Sequence, residues 1–224
     1  MARTTAKSTV AALRRRARTA AAALGISLSA WGAAFFSAPC AQASVSIAVT
    51  IEELVDRATA CAIVRATDQH STWEGGRIAT YTKVLVDRRA AGQLPDALWI
   101  KTRAGTVGDI AQIVEGEATF VVGSRMLVFL RPDQASNEAA DPYVVVERAQ
   151  GQFPLIVGDD GVTRLTRPTG VGALLRPAGA RLARLSHLYP FGELPRIASD
   201  LLDRRPLDDA IAQIAALYRV LHTR

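Results

Sequence analysis

Past residue 44 the spacing of apolar positions changes several times, and each change marks an element. "TIEELVDRA", residues 50–58, sets Leu54 and Ala58 four apart behind Thr50, with Glu53 three residues after the threonine. That is a capping-box start, and it predicts a short helix. "CAIVRATD" (61–68) opens a β region. After a link containing Gly75-Gly76, "RIATYTKVLVDRR" (77–89) alternates cleanly. Ile78, Thr80, Thr82, Val84 and Val86 share one face, and Ala79, Tyr81, Lys83, Leu85 and Asp87 the other. A period of two over this length predicts a half-buried strand, joined to its predecessor as a long hairpin.

"ALWIKTRAG" (97–105) reads as a third strand and "SRMLVFLRP" (124–132) as a fourth, stopped by Pro132. Between them, "TVGDIAQIVEGEATFVVGS" mixes polarities and reads as a loop crossing one end of the sheet, with room for a short strand at its close. "PYVVVERAQGQFPLIV" (142–157) reads as a fifth strand bent at Gly151 or Pro154, and "GDDG" as a tight turn into "VTRLT". Short strands with regular turn spacing predict an antiparallel barrel, closed or partly open, or a sandwich. Residues 167–205, rich in Arg, Pro and Gly and without a sustained period, read as an irregular connection that wraps the surface or moves freely. The last segment places Leu207, Ala210, Ile211, Ile214, Leu217, Tyr218 and Leu221 at helical spacing. Pro206 suits its first position, Asp208 and Asp209 its positive start, and Arg219 with His222 its negative end, so 206–222 is predicted as an amphipathic helix.

The front of the chain has a different pattern. Six bases and no acid occupy residues 1–18, an uncharged run follows, and Ala41-Gln42-Ala43 supplies the small residues that a signal peptidase accepts. Residues 1–43 therefore read as a signal peptide cleaved between Ala43 and Ser44, and the protein as exported, periplasmic or secreted. The Ala-, Gly- and Ser-rich run partitions weakly for an uncleaved anchor, and Pro39 stands where lipidation of Cys40 would need a small residue. The export route, Sec or twin-arginine, stays open.

Cleavage changes the charge. The full chain carries +6, but without residues 1–43 it holds 21 bases against 21 acids. A nucleic-acid partner is thereby disfavoured, because phosphate neutralisation needs a basic footprint. Residues 44–160 hold 11 bases and 16 acids, and residues 161–224 hold 10 and 5. The basic tail is expected to dock on the acidic domain, with contact to a partner or a membrane surface as the other use of such a segment. Membrane contact is expected only through the C-terminal helix or an uncleaved signal. Only Cys61 remains after cleavage, so no intrachain disulfide can form. Its apolar setting predicts a buried, inert thiol.

The early helix, "ATACAIVRA", the hairpin running into "KVLVDRRAAGQLPDALWIKTRAG" and the later "VVGSRMLVFLRP" together resemble the netrin-like, tissue-inhibitor-of-metalloproteinase-like OB-fold domain over about residues 44–160. "GSRMLVFL" and "AQGQF" also resemble motifs shared by a group of exported bacterial proteins, from which no activity follows. The first resemblance implies an OB barrel and a bias toward protein or ligand binding. It does not imply metalloprotease inhibition, which needs a disulfide-held N-terminal cysteine to reach the protease zinc. Here Ser44 and Ser46 stand in those places.

Chemistry-bearing motifs are scarce. His70, His187 and His222 are isolated, with no H-E-x-x-H, paired cysteines, G-x-S-x-G or phosphate-binding glycine loop. Ser124 reads as a strand opening. The paired acids Asp159-Asp160 and Asp208-Asp209 fit a turn and a helix start. No catalytic residue, cofactor or metal ligand is predicted. His70 is expected in the exposed hairpin connection. For binding, Trp73 and Arg77 near the hairpin tip form an aromatic–arginine pairing of the kind enriched in interfaces, and Gln150 and Phe153 stand at the bend of the fifth strand. The expectation is a five- to six-stranded OB-like antiparallel barrel over residues 44–166, all-β apart from a short N-terminal helix and the C-terminal helix. It would act without catalysis as a binding or envelope-interaction module for a protein or small ligand. The alternative is an exported hydrolase or inhibitor-like protein with a loop-assembled site.

Overall fold

Contacts divide the chain into two units, Met1–Gln42 and Ala43–Arg224. A computed structural model describes residues 45–133, 142–168, 170–178 and 196–223, all in the second unit. The elements in chain order are β1 (Val45–Ile47), α1 (Ile51–Arg57), β2 (Ala60–Glu74), β3 (Arg77–Gly92), β4 (Ala97–Thr102), β5 (Gly105–Val107), β6 (Ile110–Gln112), β7 (Arg125–Pro132) and β8 (Tyr143–Val145). A 3-10 turn (Arg148–Gly151) leads into β9 (Gln152–Val157), β10 (Thr163–Leu165), β11 (Ala173–Leu175), α2 (Ala198–Leu202) and α3 (Leu207–His222).

The structure is mostly β. A seven-stranded sheet has the order β10-β9-β7-β2-β3-β4-β8, and β8 also pairs with β7. All its pairings are antiparallel except the contact of β4 with β8, through Ile100 and Tyr143. The first five residues of β2, Ala60–Val64, and the middle of β7, Met126–Leu130, are buried on both faces, which is why they read as unbroken apolar runs and not as alternation. Ala60, Ala62, Val64, Met126, Val128 and Leu130 face one core, shared with Val84, Leu98, Ile100 and Phe120. Cys61, Ile63, Leu127 and Phe129 face a second core, closed by α1 and α3 through Leu54, Ile211 and Ile214.

The β2–β3 hairpin is longer than the apolar pattern indicated. β2 runs from Ala60 to Glu74, and Gly75 and Gly76, both with positive φ, form the turn between Glu74 and Arg77. Backbone pairing carries the strand through the polar "DQHSTWE", where side-chain alternation is silent. The predicted face of β3 holds, with Ile78, Thr80, Thr82 and Val84 buried. In the crossing segment, a short β5–β6 hairpin stands at the start; no strand forms at the close, and the third strand ends at Thr102.

Residues 142–157 are two strands, not one. Gly151 lies so close to the preceding chain that an added Cβ would sit 2.1 Å from the Val146 carbonyl oxygen. The chain therefore turns back through the 3-10 segment instead of bending. Residues 167–205 also carry structure: β11 pairs in parallel with β1, and Thr50 bridges Ile197 just before α2. Three residues held by a distant partner leave no periodicity to read. Residues 179–195 of that connection lie outside the described residues.

α1 has the expected capping box, with the Glu53 amide donating to Thr50 Oγ1 at 3.1 Å and the Thr50 amide to Glu53 Oε2 at 3.2 Å. α3 begins at Leu207, one residue later than predicted, with Pro206 as its N-cap instead of its first helical residue. It docks on α1 and the second core by way of Ala210, Ile211 and Ile214. No helix among the described residues is long and apolar enough to cross a membrane.

Candidate functional site

The long hairpin creates a polar and aromatic patch on the face of β2–β3–β4 opposite Ile78, Thr80 and Thr82. With Glu74 opposite Arg77, the register sets His70 opposite Tyr81, and β4 sets Lys101 beside Tyr81 and Trp99 beside Lys83. His70 stacks on Tyr81 at 5.5 Å between ring centroids and meets Trp99 edge-on at 5.1 Å. Lys101 Nζ lies 5.7 Å from the Tyr81 ring centroid and bonds Glu74 at 2.6 Å and Asp133 at 3.5 Å. The Tyr81 hydroxyl donates to the same Glu74 carboxylate.

Protonation follows from these contacts. The Lys101 hydrogen bond, then that of Tyr81, hold the Glu74 carboxyl below the usual range. Burial pushes the Tyr81 phenol up, and its bond to Glu74 pushes it further. Burial would lower Lys101, but the Glu74 hydrogen bond and the neighbouring Tyr81 and Glu74 charges carry it above its ordinary value. Lys101 is thus a permanently charged post at one end of the patch.

From that post two clefts open. The first, about 660 Å³, runs past Ser46, Ile47, Glu115, Glu117, Arg131 and Glu147; the second, about 620 Å³, runs toward Arg77, Ile78 and Ile113. Lys101, Arg103 and Arg148 line both, forming a cationic ridge between them. Arg103, Arg131 and Arg148 form no salt bridge among the described residues. Arg148 is aimed by unusual backbone: Glu147 and Arg148 sit at φ 53° and 57°, without the glycine or asparagine that such angles favour. Two left-handed residues cost about 1–3 kcal/mol each. The Arg57–Glu147 ion pair and the Ala149 amide bond to the Gly116 carbonyl at 3.1 Å hold this turn in place.

No relative assigns this site. Comparison with family models, curated proteins and solved structures finds no match to the chain. The site therefore stands on its own geometry.

Glu117 lines the first cleft beside the ridge. Burial raises its pKa, and the charges of Arg148 and Arg103 with backbone hydrogen bonds only partly oppose the rise. A carboxyl with a raised folded pKa adds stability that is full below the ordinary carboxylate range and is lost as pH rises through the raised value. Glu117→Gln is therefore expected to raise the Tm by a few degrees at pH 7 and to leave it unchanged below pH ~4. Thermal unfolding across pH checks this; an equal shift at both pH values contradicts it.

The sequence-predicted residues are dispersed. Ala43 and Ser44 lie outside the described residues. Trp73 is 48% exposed at the hairpin tip, opposite Ile78, whereas Arg77 is opposite Glu74. Strand alternation sends the two to opposite faces, so they form no joint contact; Arg77 instead lines the second cleft. Phe153 is fully buried, edge-on to Phe129 at 6.3 Å, and cannot meet a partner in the folded chain. Gln150 is engaged internally, accepting from the Val49 amide at 2.9 Å and donating to the Ile47 carbonyl at 3.1 Å. It pins the strand that forms one lip of the first cleft. Gln150→Ala leaves both backbone groups without this partner and is expected to cost about 1–3 kcal/mol in chemical denaturation; an unchanged midpoint contradicts a clamping role.

His70 belongs to the outer patch and not to a loop. Cys61 is buried, and burial pushes its thiol far above its ordinary pKa, an inert state. Among the described residues no group of three or more His, Cys, Asp or Glu is placed to hold a metal ion. The residues that sequence reading missed are Lys101, Arg103, Arg131 and Arg148, which come from separate elements. A usable signal existed for the aromatic patch alone: a two-residue Gly75-Gly76 turn fixes His70 opposite Tyr81.

Proposed function

We propose that the protein is an exported, non-enzymatic binding module on an OB-like barrel, and that it holds an anionic ligand on the ridge of Lys101, Arg103 and Arg148. Barrel closure is supported by the ring of pairings from β7 through β2, β3, β4 and β8 back to β7, around the core of Val64, Val84, Ile100 and Val128. The observation that carries the ligand class is the ridge itself: cations facing two clefts, with Arg103 and Arg148 lacking salt-bridge partners among the described residues. Guanidinium groups recognise carboxylate and phosphate through bidentate bonds. The clefts fall in the size range of small-molecule sites.

The test is calorimetric titration with inorganic pyrophosphate. Binding is expected to weaken with added salt and by at least about tenfold in Arg103→Ala/Arg148→Ala. A titration that the double substitution leaves unaltered speaks against the ridge. The rival reading, an exported hydrolase, draws on the raised pKa of Glu117. For a binding module, Glu117→Gln removes a competing negative charge and strengthens anion binding. Export is tested by the N-terminus of the protein recovered outside the cytoplasm, expected at Ser44; a terminus at Met1 rules out the cleavage.

A further inference from the structure

The second cleft is not uniformly polar. Arg77, Arg103 and Arg148 line it, with Glu74 held by Lys101, and so do the exposed Ile113 and the half-buried Val114. Ile113 is 84% exposed, the most exposed large apolar side chain in the described residues. The wall it belongs to is preformed. Gln112, immediately before it, accepts from the Ile78 amide at 3.1 Å and donates to the Ile78 carbonyl at 3.3 Å, so it reads both backbone groups of one β3 residue. On the other side, the Glu117 amide donates to the Val114 carbonyl at 3.2 Å. The isoleucine is therefore presented to the cleft by a fixed turn.

We infer that this cleft takes a small amphiphilic anion, with a carboxylate or phosphate head on Arg103 and Arg148 and an apolar body along Ile113 and Val114. The inference rests on the anion-binding reading above and narrows it. A bare anion would leave Ile113 in water, a neutral apolar molecule would leave the guanidinium groups without a partner, and a cation would be repelled. Only a molecule with both features uses both walls. At about 620 Å³ the cleft falls in the size range of small-molecule sites.

The experiment is calorimetric titration of the full chain with four probes, each below its micellar concentration: decanoate, acetate, decyltrimethylammonium and inorganic pyrophosphate. Decanoate is expected to bind at least about tenfold tighter than acetate, since each buried methylene contributes about 0.8 kcal/mol. It is also expected to bind at least about tenfold tighter than decyltrimethylammonium. Ile113→Ser, an uncharged change on a surface residue whose folding is checked by an unchanged Tm, is expected to weaken decanoate by at least about tenfold and pyrophosphate little. Pyrophosphate binding without preference for decanoate over acetate overturns the amphiphile and leaves the anion reading standing. Equal binding of the decyl cation, or decanoate binding indifferent to Ile113→Ser, also overturns it. Absence of binding by both pyrophosphate and decanoate overturns both readings.

Discussion

Phe153→Ala is expected to destabilise the protein by about 3–5 kcal/mol and to lower its Tm by about 6–20 °C, since 1 kcal/mol moves a domain of this size by about 2–4 °C. The side chain is fully buried, packs edge-on to Phe129 and lies opposite Leu127 across the β7–β9 ladder. Its removal leaves a cavity lined by residues already fixed from both sides of β7, with little freedom to collapse. As a partner-contact residue it would behave in the opposite way, with unchanged unfolding and weakened binding. Thermal unfolding together with the pyrophosphate titration separates the two; a change below ~1 kcal/mol means that the core does not depend on this ring.

The second large effect concerns the C-terminal helix. Deleting Leu207–Arg224 removes Ala210, Ile211 and Ile214 from the core that α1 and β7 share, along with the partly buried Leu207, Leu217, Tyr218 and Leu221. It also removes the Tyr218 hydroxyl bond to the Thr59 carbonyl at 2.8 Å and the Arg88–Asp208 pair at 2.5 Å. A fully buried aliphatic side chain contributes about 1.5–3 kcal/mol, against a total stability of about 5–15 kcal/mol for a domain. The truncated protein is expected to lose its cooperative thermal transition and to bind hydrophobic dyes. A truncated chain that melts cooperatively near the parent temperature would show α3 to be dispensable. The C-terminal helix is packed into the fold through Ala210, Ile211 and Ile214, which leaves its outer face alone for any other contact.

Legibility from sequence followed the physical signal each element carries. α1 and α3 were readable because capping residues and a helical apolar stripe are local. The inward face of β3 was readable because its other face is polar. The outer half of β2 was not, since "DQHSTWE" gains its strand conformation from pairing with β3 rather than from alternation. β11 and α2 depend on partners more than a hundred residues away, β1 and Thr50, and leave no periodic trace. At Gln150 and Phe153 the sequence indicates only a bend; the close approach of Gly151 to the Val146 carbonyl makes a turn there that places Phe153 in the core and leaves Gln150 half-buried on the rim of the first cleft. The ridge was hidden for a related reason. Arg103 follows β4, Arg148 opens the 3-10 turn, and its left-handed conformation is held by Glu147, Arg57 and Gly116 without a sequence marker of its own.

The most direct measurement is a crystal structure of the protein grown with inorganic pyrophosphate. The anion is predicted on the ridge, within hydrogen-bonding reach of the Arg103 and Arg148 guanidinium groups, with Glu117 turned away from them. A structure in which those two arginines are closed on Glu115 and Glu117, with the anion elsewhere or absent, would contradict the binding role assigned to the ridge.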